Sequence, residues 1–272
     1  MKLSAVTYEV VDGVAVITLN RPDELNTWNP QLSDDLAVSM GQADADDNVR
    51  VVVVTGAGRA FCAGADLSGG ESGFEAGGVT GQPDLPRKWP HEVRKPVIAA
   101  INGHAIGVGI TYPMLCDFRI AADGAKIQFA MVRRGIVPEL GAHFTVTRAL
   151  GYEKAAELMM FGKMISGSEA ASLGLVSEAL PAGEVLPRAM DIARDVSTNV
   201  APVSAAIVKK LMWESLTSSH EDIMKKEQDF FPRLITSADA KEGVQSFLEK
   251  RDPQWTLSVS RDLDQIMGSH NG

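Results

Sequence analysis

The sequence predicts an α/β fold, a core of buried strands joined by turns and helices, followed by an all-helical C-terminal region. Three observations carry that reading. Val51-Val52-Val53-Val54, Val97-Ile98-Ala99-Ala100-Ile101 and Phe118-Arg119-Ile120-Ala121-Ala122 are short apolar runs of the kind that strands covered on both faces require. Turn and helix patterns separate them, which implies crossover connections. From residue 151 onward the chain reads as helices.

The elements follow in order. Residues 7–11 and 14–20 alternate apolar and polar around Asp12-Gly13, the signature of a hairpin, and Arg21-Pro22 ends the pattern. A helix fits residues 30–43, with Asn29 as N-cap, Pro30 at the first helical position, and Asp34 and Asp35 early on. The strand at 51–54 ends in Thr55-Gly56, and Lys95-Pro96 precedes the strand at 97–101. Residues 104–116 read as a helix between the second and third buried strands. The stretch 68–90 carries six glycines and suits a mobile surface loop, placed where it would act as a lid. A helix is expected at 141–150, then others at 151–161, 168–173, 183–199, 201–217, 219–235 and 239–249. The polar end, 257–272, is expected to fray unless Leu263, Ile266 and Met267 dock a short helix.

Bulk properties narrow the function. A chain of 272 residues can bury a large core. A net charge of −9 argues against broad nucleic-acid binding, which needs a basic face. Cys62 and Cys116 sit in apolar runs outside any C-x-x-C spacing, so both read as buried, reduced thiols. No apolar run approaches the ~18 residues that span a membrane. The N-terminus lacks a basic stretch followed by an apolar one, so a cytoplasmic location is expected. A dinucleotide loop after the strand at 51–54 is rejected: Gly56 and Gly58 match its first two glycines, but Phe61 stands where the third must let helix and strand approach.

Several segments together resemble one family. They are Thr18-Leu19-Asn20-Arg21-Pro22 with Asn26, Val51 to Gly56, and Ala60-Phe61-Cys62-Ala63-Gly64-Ala65-Asp66-Leu67. They continue with Lys95 to Gly103, Cys116-Asp117, Asp239-Ala240-Lys241-Glu242-Gly243 and Phe247 to Arg251. In this order and spacing the chain resembles the crotonase (enoyl-CoA hydratase/isomerase) superfamily over roughly residues 5–255. The resemblance implies a spiral of ββα units over residues 1–200 and a helical trimerisation region over 201–272, giving homotrimers or homohexamers. It implies an acyl-CoA thioester as substrate, with no metal and no cofactor beyond the coenzyme A that is part of that substrate.

The resemblance also assigns residues. The backbone N–H groups of Ala65 and Val108, following Gly64 and Gly107, would hold the thioester oxygen as an enolate forms. The second position is usually glycine in the family, so Val108 departs from the pattern. Glu24, Leu25, Asn26, Ala63, Gly64, Asp66, Leu67 and Gly107 would bind the substrate and its coenzyme A portion, with Arg21, Lys241, Lys250 or Arg251 near its phosphates. Family hydratases use two glutamates, and their positions here hold Thr111 and Met131. Glu139 instead stands just after Val137-Pro138, where some isomerases of the family carry their acid. Without the resemblance, Glu139 would read as an acid ahead of the helix at 141–150. His143, four residues on, would face the same way; the blander reading of it, and of His104, is structural. Arg133 and Arg134 are candidate partners for Glu139 or Asp117.

One carboxylate suffices to move a double bond from β,γ to α,β, whereas hydration is well served by two. The expectation is therefore an isomerase. The alternatives are a hydratase working through Glu139, with or without His143, and an acyl-CoA-binding member without turnover.

Overall fold

The computed structural model describes residues 3–68 and 87–268. Most of the glycine-rich stretch read as a lid, residues 69–86, lies outside the described residues.

Strands β1 (Val6–Val11) and β2 (Val14–Leu19) form the expected hairpin. Asp12 and Gly13 both take positive φ (52° and 77°), the backbone of the two-residue turn whose twist matches its strands. Helix α1 (Pro30–Ala45) begins where predicted, with Asn29 Oδ1 accepting from the Leu32 N–H at 2.8 Å. Asp34 and Asp35 lie past its first turn and do not serve its dipole. Asp35 Oδ2 accepts the Ser4 and Ala5 N–H groups, each at 2.8 Å, and Asp34 pairs with Arg87 at 2.8 Å.

The chain then winds between two sheets. β3 (Val51–Gly56), β5 (Val97–Ile101) and β7 (Phe118–Ala122) join β1 and β2 in a six-stranded sheet of order β1-β2-β3-β5-β7-β10, where β10 is Glu178–Leu180. After each of these three, a short strand steps into a second sheet. These are β4 (Ala60–Cys62), β6 (His104–Ile106) and β8 (Lys126–Gln128), with β9 (Met164–Ser166) at the edge, in the order β4-β6-β8-β9. Apart from the hairpin and the β8–β9 pair, neighbours are parallel. Ala60 and Cys62 pair with the consecutive residues His104 and Ala105, so β4 carries one residue more than β6 across that step.

The expected helix at 104–116 is corrected. Residues 104–106 are β6, Gly107 adopts φ 58° and ψ −123°, and only Val108–Thr111 forms a helix, α2. Pro113 then opens a 3-10 turn through Leu115. The Gly107 backbone is one that side chains rarely allow, and Pro113 has no N–H to continue the ladder.

Helices α3 (Ala142–Leu150), α4 (Tyr152–Met159), α5 (Gly167–Leu173) and α6 (Ala182–Asn199) follow close to the predicted ranges. α6 crosses the large sheet over β3, β5 and β7. α7 (Pro202–Ser215), α8 (His220–Ile235), α9 (Ala238–Glu249) and α10 (Val259–Met267) come last. Val203, Ala206, Ile207, Phe230, Val259 and Leu263 form a second, smaller core. The C-terminal segment thus docks a helix through Leu263 and does not fray over 259–267. Phe247, Leu248, Phe231 and Met212, on α7 to α9, remain exposed.

Lys209 was not anticipated. This buried lysine donates to the carbonyls of Pro90 (2.8 Å) and Lys95 (3.0 Å) and to Asp117 Oδ2 (2.7 Å). Burial pulls its pKa down, and the Asp117 charge opposes that shift. Cys62 and Cys116 are free and buried as expected, and burial pushes both thiols up to about 12.

Candidate active site

The site grows from the C-terminal ends of β4, β6 and β8, the end of a parallel sheet at which turns present their backbone. β4 runs into residues 63–67, β6 into Gly107 and α2, and β8 into the 3-10 turn Ala130–Arg134. Because β4 lies beside β6, the two glycine turns lie together: a Cβ on Gly107 would sit 3.8 Å from the Gly64 Cα.

Each turn is tied so that one N–H remains unused. Trp28 bridges Ala65 as a short parallel pairing: its N–H donates to the Gly64 carbonyl (2.7 Å) and its carbonyl accepts from Asp66 N–H (2.9 Å). In such a pairing the N–H of the middle residue, Ala65, points away from Trp28. Gly107 N–H donates to the Gln128 carbonyl (2.8 Å), and Val108 opens α2, where the first N–H groups have no partner within the helix. Among the described residues, neither the Ala65 nor the Val108 N–H has a backbone acceptor. The valine is accommodated because its backbone is helical, not left-handed.

Both residues line a pocket of about 350 Å³, together with Ala63, Gly64, Leu67, Gly107 and Glu139. Its other walls include Trp28, Trp89, Met131, Ile136, Leu140 and Arg134. Trp28 and Trp89 both rest against the buried Tyr112 ring, at centroid distances of 5.3 and 6.2 Å.

Thr111, wholly buried in α2, donates its hydroxyl to Glu139 Oε1 at 2.5 Å. Glu139 as a residue is open to solvent along an exposed segment, whereas its carboxyl is crowded against this buried group. That crowding raises its pKa; the Thr111 bond, its own N–H and the charge of His143 pull back against it. Glu139 does not cap α3, whose N-cap, Gly141, makes no side-chain cap bond. Met131 is buried in the pocket wall, so neither of the positions the resemblance assigns to the hydratase glutamates supplies a carboxylate.

Of the residues expected near coenzyme A, Glu24 and Leu25 form one surface with the 63–67 turn, since the Leu25 carbonyl accepts the Ala63 N–H at 3.1 Å, whereas Asn26 lies beneath it. Glu24 is exposed on it, and Leu25 and Asn26 both have φ of 54°. The Asn26 side chain is fully committed within the fold. It is 0% exposed, donates to the Ala57 and Ala60 carbonyls (2.9 Å each) and accepts from Arg21 N–H (2.8 Å).

Other candidates fall elsewhere. Arg21 pairs with Asp66 at 3.0 Å and reaches the Thr27 carbonyl. The bonds from Ser68 and then Arg21 hold Asp66 down at about 2. Arg251 pairs with Glu242 and Glu249, and neither it nor Lys241 nor Lys250 lines the pocket. Arg133 binds the Gly162 and Phe161 carbonyls, and Arg134 binds the Arg133 carbonyl, so the expected pairing with Glu139 or Asp117 is replaced. His104 is structural, accepting from Lys126 N–H at 3.1 Å. His143 is exposed and makes no hydrogen bond to Glu139. Sequence reasoning missed Trp28 and Trp89, which no local pattern marks as pocket walls. Among the described residues, no cluster of His, Cys, Asp or Glu could hold a metal ion.

The family model described as enoyl-CoA hydratase/isomerase matches residues 9–258. The chain belongs to the enoyl-CoA hydratase/isomerase family. Its relatives include an enoyl-CoA hydratase of Alternaria alternata, 39% identical over 250 residues covering 90% of this chain and 83% of that protein. A probable enoyl-CoA hydratase of Mycobacterium bovis is 34% identical, covering 92% of this chain and 99% of the relative. Among solved structures, a probable enoyl-CoA hydratase/isomerase from Mycobacterium abscessus aligns with a TM-score of 0.86 and 39% identity, over 92% of this chain and 98% of that one. The crotonase-type α/β fold read from the sequence is thereby established for this family member. No helix among the described residues is long and apolar enough to cross a membrane.

Proposed function

We propose that this family member isomerises enoyl-CoA thioesters, moving a β,γ double bond to the α,β position with Glu139 as its single base. The observation that carries the reading is that, among the described residues lining the pocket, Glu139 is the one carboxylate, while Thr111 and Met131 stand where the family resemblance expects the two hydratase glutamates. Glu139 takes a proton from the α-carbon, and the C–H electron pair passes into a dienolate whose charge falls on the thioester oxygen. The Ala65 and Val108 N–H groups stabilise that charge as it develops. The proton returns from Glu139 to the γ-carbon, completing the conjugated product. A pKa raised by burial makes Glu139 both a stronger base and a ready proton return.

The surface formed by Glu24, Leu25 and residues 63–67, with Asn26 buried beneath it, takes the coenzyme A portion in this reading, and no cofactor beyond it is needed. Exposed apolar side chains on α7 to α9, Phe247 and Leu248 among them, support assembly as a homotrimer or homohexamer, which sedimentation velocity tests directly.

A second reading, hydration of an α,β-enoyl-CoA, is favoured by the names of the relatives, several of which are enoyl-CoA hydratases. Incubation with a β,γ-enoyl-CoA and separately with its α,β isomer separates the two. A conjugated thioester at unchanged mass supports isomerisation, with Glu139→Gln losing roughly 10²–10⁴-fold in rate. A gain of one water supports hydration, and silence on both substrates with retained binding would leave a binding role.

A further inference from the structure

We propose that Thr111 is the positioning residue for Glu139: its hydroxyl fixes one carboxylate oxygen so that the other is presented to the substrate as the base. The inference deepens the single-base reading and rests on it for its kinetic consequences. A carboxylate on an exposed segment, with no capping bond to the helix behind it, has several staggered positions open to it. The bond of 2.5 Å from a fully buried hydroxyl selects among them. Thr111 is well placed for this, because α2 is anchored at its start by the Gly107 turn and Thr111 N–H returns to the Gly107 carbonyl at 3.2 Å. The same short helix therefore carries the Val108 N–H and the group that orients the base. The separation between the base and the Val108 donor is set within one rigid turn. Thr111 Oγ1 also lies 3.4 Å from the Val108 carbonyl, but one hydroxyl proton serves a single acceptor, and the shorter, charged one wins.

Among the described residues, the charged groups near Glu139 are His143 on α3 and Arg134 in the preceding 3-10 turn, and both remain when Thr111 is changed. The test compares Thr111→Val, which keeps the shape and removes the donor, with Thr111→Ser, which keeps the donor. On a β,γ-enoyl-CoA, valine is expected to lower kcat roughly 10- to 100-fold with KM little changed, and serine to restore most of it. The acid limb of the rate should move to higher pH in the valine variant, since a hydrogen bond to the carboxylate holds its pKa down. Carbon-13 titration of labelled glutamate, with the Glu139 resonance assigned by its loss in Glu139→Gln, should show the same rise without any substrate. Valine and wild-type proteins that titrate Glu139 alike and turn over alike would overturn the positioning role. If Glu139→Gln kept full activity, the single-base reading would fail, while the titration would still decide whether Thr111 holds the carboxylate.

Discussion

Gly109 and Cys62 touch so closely that a Cβ on the glycine would lie 2.1 Å from the cysteine carbonyl oxygen. That contact seats α2 on β4 and so fixes the distance between the Ala65 and Val108 turns. Neither backbone can yield without moving one of them. Gly109→Ala is expected to lower the melting temperature and to reduce turnover more than substrate binding. Thermal unfolding and steady-state kinetics check it; an alanine variant with wild-type rates would show that the two turns are not coupled this way.

Asn26 is held by its amide chemistry and not merely by its shape. Asn26→Asp replaces a donor facing two carbonyls by an acceptor, inside a site with no exposure. It should cost about 2–4 kcal/mol, at least as much as Asn26→Ala, although aspartate is the closer match in size. Urea denaturation of both variants measures the ranking.

Lys209 ties α7 to two loop carbonyls and to Asp117. Replacing it with methionine removes the charge but keeps the length, leaving Asp117 without its counter-ion. A loss of roughly 3 kcal/mol is expected. Lys209→Met with Asp117→Asn should recover part of it, a coupling that a double-mutant cycle reads directly.

Glu139 trades stability for reactivity. Its folded pKa is raised, so the folded chain holds that proton more tightly than the unfolded chain does. Stability from this group is present below its unfolded value, about 4.3, and is lost as pH rises through the folded value. Glu139→Gln should therefore melt higher than wild type at neutral pH, with the difference vanishing below about pH 4. Equal melting temperatures across that range would contradict the raised pKa.

The long-range features were the least legible in the sequence. The hairpin was readable because Asp12-Gly13 demands its own turn, and α1 because Asn29 and Pro30 mark its start. β4, β6 and β8 were not, since three residues are too few to show alternation and their pairing comes from neighbours distant in the chain. Gly64, Gly107 and Glu139 stood out only once the segments were taken together as a family pattern. Lys209 looks like any solvated helical lysine until residues 92 to 119 positions away close over it. Trp89 gives no local hint of the pocket it walls.

The extra residue in β4 sets a phase as well as a position. Successive N–H groups along an extended chain point to opposite sides. The residue count between the β4 bulge and Ala65 therefore determines which residue of the turn stands opposite Trp28. Deleting or inserting one residue there would bring a neighbour of Ala65 opposite Trp28, so that a different N–H of the turn would be the one left facing away from it.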